Sequence, residues 1–142
     1  MDTSTVEILN ELLVMHSRSL PMYLASARPH RQRGDDKAAE VLTHIVEDQQ
    51  LMVDRIAEFM EDADCTIDTG EFSMEFTDLH DLSMDYIMQQ VITCQKNEIA
   101  EIEYFSGQLD GQPRAKALAQ EALGAAKAHL QSLEECLAPA VS

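Results

Sequence analysis

The sequence predicts an all-α protein, a four-helix bundle built from two antiparallel helix pairs with a long crossover between the second and third helices. Three observations predict it. Apolar residues recur at three- and four-residue steps through four long segments, the spacing of one helix face. The chain has no Trp and only three Tyr and four Phe, so its core must be Leu, Ile, Val, Ala and Met, as in helix-on-helix packing. The stretch between the second and third segments has no helical period, yet it is longer than a tight turn needs.

The first helix is expected at about 5–27, with the inward stripe Val6, Leu9, Leu13, His16, Leu20, Tyr23, Leu24 and Ala27. Ser4 or Thr3 suits its N-cap, and Glu7 completes a capping box with Ser4. Pro21 lies inside the pattern and predicts a kink or a break near it. Arg28 to Gly34 is a short connection in which Pro29 stops the helix and Gly34 permits the next turn. With three arginines and His30 it is the basic spot of an acidic chain, either a solvated loop or a contact for an anion or partner.

The second helix is expected at 35–62, with Asp35 and Asp36 suited to its N-terminus. Its stripe is Leu42, Ile45, Val46, Gln49, Met52, Val53, Ile56, Phe59 and Met60. At about 100° per residue, Gln49 falls in the middle of that stripe and Glu47 on the opposite side. The irregular stretch Ala63–Thr77 follows. At about 3.3 Å per residue it can reach on the order of 50 Å. A helix of about 27 residues is roughly 40 Å long. The linker can therefore return along the whole bundle and start the third helix parallel to the second. Its carboxylates do not follow the ligand spacing of an EF-hand loop.

The third helix is expected at 78–109, with the seam Met84, Met88, Val91, Gln95, Glu98, Ile102, Phe105 and Leu109. Gly107, Gly111 and Pro113 mark the turn. The fourth is expected at 113–137, Pro113 suiting its first turn. Its stripe, Ala115, Leu118, Ala119, Ala122, Ala126, His129, Leu133 and Cys136, is rich in alanine, so neighbours can approach closely. Pro139 stops it.

The 142 residues suit one domain with a real core. A net charge of −16 and a pI near 4.4 argue against nucleic acid and anionic membranes as partners. Cys65, Cys94 and Cys136 are odd in number, widely spaced and without a CxxC, which points to free thiols in a reducing compartment. There is no signal-like N-terminus and no apolar run of membrane-spanning length, so the cytoplasm is the expected location. Neither a nucleophile elbow nor a glycine-rich phosphate loop occurs.

The functional signal lies in the polar residues on the apolar seams: His16, Gln49, Gln95 with Glu98, and His129. With the first two helices folded about residue 31 and the last two about residue 110, all of them converge near mid-height. Buried polar groups need partners, so these should bond to one another, to water or to an ion. Glu98 is the most suggestive, because a buried carboxylate calls for a cation, a histidine or a proton. The eight Met read as core filler.

Two antiparallel helix pairs, a crossover and polar side chains at mid-bundle together resemble the ferritin-like superfamily. In its di-iron members each half gives a lone Glu on one helix and an E-x-x-H on the next. The segment IVEDQQLM (Ile45–Met52) is similar to that motif, with Gln49 at the Glu position and Met52 at the His position. AAKAHL (Ala125–Leu130) is similar to it with Ala126 at the Glu position and His129 retained. His16 stands where the first-helix Glu would be, and Gln95, or else Glu98, where the third-helix Glu would be. A shifted reading through Glu47-x-x-Gln50 puts its carboxylate on the outward side. The resemblance spans Thr5 to Leu137 as architecture. As a motif, His129 alone fits, with Glu98 a second candidate.

Gln, Met and Ala cannot supply the negative charge that two iron ions require. The resemblance therefore implies a ferritin-like bundle without a working di-iron centre. Ferroxidase, oxygenase and peroxide-reducing activities are not expected, and the leading expectation is a non-catalytic binding or structural module with no cofactor. Its protein partner is not specified by any motif, and pairing into a homodimer is in keeping with four-helix chains of this size. The alternative is a metalloprotein with an altered site of His16, His129 and Glu98 for iron, zinc or manganese, with oxidoreductase or metal-handling activity. A third reading is a sensor with a small ligand in a polar pocket between the helices.

Overall fold

The computed structural model describes residues 2–27, 36–79 and 83–137, and the regular structure among them is helical, with no strand. Among the described residues the long helices make four limbs. The first is broken into α1 (Thr3–Ser17) and α2 (Leu20–Ala27); the others are α3 (Asp36–Asp62), α4 (Met84–Gln108) and α5 (Pro113–Leu137). A 3₁₀ segment, Met74–Leu79, precedes α4. The connection Arg28–Gly34 with His30, the cap position Asp35, and also His80 and Pro139, lie outside the described residues.

The break in the first limb follows from Pro21. Proline has no N–H for the carbonyl of Ser17, and its ring collides with that carbonyl. The helix therefore ends before Arg18, whose N–H bonds to the Val14 carbonyl. Ser19 restarts it, its Oγ accepting from the Met22 N–H at 3.2 Å. The N-cap of α1 is Asp2, not Ser4 or Thr3: the Asp2 carboxylate accepts from the Thr5 N–H at 2.7 Å. An ionised side chain at the positive end of the helix is the stronger cap, and it pulls the first turn two residues earlier. Helix α4 begins at Met84 rather than near Asp78, because Ser83 caps it by accepting from the Tyr86 N–H at 3.3 Å.

Helix α3 ends in a Schellman motif. The Cys65 N–H bonds to the Met60 carbonyl at 2.9 Å and the Asp64 N–H to the Glu61 carbonyl at 3.0 Å, with Asp64 in the left-handed region. The chain then turns back along α1. Asn10 holds the Asp68 backbone in both directions, donating to its carbonyl at 3.0 Å and accepting from its N–H at 2.8 Å. Further on, Arg18 donates to the Thr69 carbonyl and lies over the Phe72 ring, and Tyr23 packs against Phe72 and Phe76. The linker thus travels from the level of Asn10 to that of Tyr23. Gly70 sits between these anchors at φ +64°, where an added Cβ would lie 2.7 Å from Val14 Cγ1. Gly70→Ala is expected to cost about 1–2 kcal/mol through the left-handed backbone alone, measured by urea unfolding.

The core divides into two apolar clusters. One holds Leu9 and Leu12 of α1, Ile56 and Met60 of α3, Ile102 of α4, and Ala119 and Ala122 of α5. The other holds Leu20 and Leu24 of α2, Leu42 and Ile45 of α3, Met88 and Val91 of α4, and Leu133 of α5. The first half of α3 thus shares its level with the first half of α4, so these two helices run in the same direction. The first limb opposes α3, and α5 opposes α4. The most extensive helix pair is α4 with α5, where fully buried Ala119 and Ala122 let the backbones approach. Between the two clusters lies a layer of buried polar side chains: His16, Ser19, Gln49, Gln95 and His129. Cys65, Cys94 and Cys136 are free thiols, each half-buried. Among the described residues no helix is long and apolar enough to cross a membrane.

Candidate functional site

The polar layer surrounds a small cavity of about 10 Å³, lined by all five residues singled out in the sequence, His16, Gln49, Gln95, Glu98 and His129. Asp48 lines it as well, and Met52 and three alanines of α5 complete its wall. The space exists because α5 presents Ala122, Ala125 and Ala126 where a larger side chain would fill the gap between α3 and α4. About one water-sized centre fits in such a volume.

Each polar group is tied to the protein. His16 is 5% exposed, and its Nδ1 donates to the Leu12 carbonyl one turn earlier at 2.7 Å. A carbonyl only accepts, so the proton sits on Nδ1, and in the neutral ring Nε2 carries a lone pair. Burial lowers the pKa of His16, and the proximity of His129 adds to the shift, so the neutral ring is favoured. Ser19 Oγ donates to Gln49 Oε1 at 2.6 Å and so links the break in the first limb to the middle of α3. Gln95 donates from Nε2 to the Ala126 carbonyl at 3.0 Å, joining α4 to α5. His129 Nε2 donates to Asp48 Oδ2 at 2.8 Å, joining α5 to α3.

Glu98 differs from the rest. It is half-buried, with no ion-pair partner among the described residues, and burial pushes its carboxyl up to about 8, Glu101 adding to the shift. At neutral pH it is therefore mostly an uncharged acid. Of the two candidates on α4, Gln95 takes the fully buried position, 2% exposed, and Glu98 flanks it one turn on. Glu47 is exposed and lies beside His44, on the outward side of α3. Met52 and Ala126, at the His and Glu positions of the similar motifs, serve as wall. Among the described residues, no three His, Cys, Asp or Glu side chains are grouped closely enough to hold a metal ion.

Asp48 is the residue that sequence reasoning missed. It is largely exposed and lies beside Gln49 on the edge of the stripe, so a search confined to the apolar seam passes over it. The available signal was its flanking by Ile45 and Met52 at −3 and +4, which turns it toward the neighbouring helix.

No known protein family, characterised protein or solved structure matches the chain.

Proposed function

We propose that this chain is a ferritin-like bundle in which a hydrogen-bonded polar layer stands in place of a di-iron centre, and that it acts as a binding or structural module through its surface. The ferritin-like reading is supported by the linker that travels along α1 and by the parallel course of α3 and α4. The observation that carries the functional reading is the state of the mid-bundle side chains. His16, Gln49, Gln95 and His129 each bond to a protein partner, and Glu98 is held as a neutral acid. Such a layer fixes the register of four limbs, because each bond is satisfied in one arrangement only. It lacks the set of ionised carboxylates that bridges two irons. The free thiols favour a reducing compartment, which makes the cytoplasm the proposed location. Self-association is part of the same proposal, and sedimentation equilibrium of the untagged chain tests it.

A second reading has one observation in its favour. His16 Nε2 carries a lone pair, and its ring lines the same cavity as Glu98 and His129. These three would be the ligands of an altered site for iron, zinc or manganese. Elemental analysis of protein purified without a tag separates the two. The module reading expects sub-stoichiometric metal that is unchanged in His16→Ala. Stoichiometric iron, zinc or manganese, lost in His16→Ala, would establish the metalloprotein instead.

A further inference from the structure

Taking the polar layer as hydrogen-bonding rather than metal-binding, we infer that the mid-bundle cavity is a binding site for one water-sized neutral molecule, which donates to His16 Nε2 and bridges the amides of Gln49 and Gln95. The inference rests on that proposed function. Among the described residues, three polar groups of the layer are left with unpaired atoms. Gln49 uses its Oε1 on Ser19, and its NH₂ has no partner among the described residues. Gln95 uses its NH₂ on Ala126, and its Oε1 has none. His16 uses Nδ1 on Leu12, and its Nε2 has none. Yet among the described residues no fully enclosed side-chain nitrogen or oxygen lacks a partner. The unpaired atoms of these buried residues therefore border accessible space, and the space that all three residues share is this cavity.

The donor and acceptor set selects the chemistry. His16 Nε2 and Gln95 Oε1 accept, whereas the Gln49 NH₂ donates. Glu98, as an uncharged acid, adds an O–H donor. A cation would meet donors on part of this wall, and an anion would meet lone pairs on another. A molecule that gives two hydrogen bonds and receives two satisfies all four groups, and water is that molecule. The volume of about 10 Å³ admits one such centre. The bridge would join α1, α3 and α4; among the described residues the side-chain to side-chain bonds at this level otherwise run from Ser19, at the break after α1, to Gln49 of α3, and from His129 of α5 to Asp48 of α3.

A crystal structure of the full untagged chain, with diffraction data recorded on both sides of the iron and zinc absorption edges, tests this. The expected result is a density peak without anomalous signal, about 2.7–3.2 Å from His16 Nε2 and from a Gln49 or Gln95 amide. A cavity closed by its own side chains, or lacking any peak, would overturn the bound molecule and leave the metal-free layer standing. An anomalous peak at a coordination distance of about 2.0–2.2 Å from His16 Nε2 would overturn both.

Discussion

Replacing Ile56 by alanine is expected to destabilise the protein by about 2–5 kcal/mol. Ile56 lies in the C-terminal third of α3, is fully buried, and belongs to the cluster that draws on α1, α3, α4 and α5. Truncation removes the transfer free energy of the lost methyl groups and opens a hole that close-packed helices fill only in part. Leu51 on the same helix is 60% exposed and is the internal control. Leu51→Ala should stay within about 0.5 kcal/mol of the parent. Urea unfolding of both variants, analysed at constant m, checks the pair.

Glu98→Gln is expected to raise stability most in alkaline solution. The folded-state pKa of Glu98 is about 8 against an ordinary 4.5. Between those values the native chain keeps a proton that the unfolded chain releases, so stability falls as pH rises. The stabilising contribution is whole below about pH 4.5 and gone above about pH 8, with a slope near 1.4 kcal/mol per pH unit within the window. His16 acts in the opposite sense. Its lowered pKa gives stability that is present above about 6.5 and lost as pH falls below it. The interval from about pH 6.5 to 8 therefore isolates Glu98, facing His16, His129 and Asp48 across the cavity and Glu101 on its own helix. The difference in unfolding free energy between Glu98→Gln and the parent should grow through that interval and then level off. A constant difference would mean that Glu98 is ionised in the folded protein.

Much of the layout was legible in the sequence because burial imposes a period. Gln49 sits in the centre of the α3 stripe, which alone predicts an inward side chain, and it is 2% exposed. His129 and Ala126 follow from the same count on α5, whose limits, Pro113–Leu137, are those expected from Pro113 and the turn before it. The length of the linker against that of a helix anticipates its path along α1. What escaped depends on competition between neighbours. Asp2, Thr3 and Ser4 can all cap a helix, and the charged side chain prevails. Pro21 locates a break only to within a turn, and its position was decided by Ser19, which both restarts the helix and bonds to Gln49. Asp48 escaped because half of its environment is solvent and its partner lies on another helix, so no local period marks it.

The central claim is that the polar layer at mid-bundle serves hydrogen bonding in place of a metal centre. A ligand that binds the native chain alone raises its melting temperature by mass action. The most direct measurement is the Tm of the chelator-treated protein, alone and with excess iron(II) under anaerobic conditions, zinc or manganese. With a hydrogen-bonding layer the same Tm is expected in all four samples, for the parent and for His16→Ala alike. A rise of several degrees with one metal, abolished in His16→Ala, would contradict it.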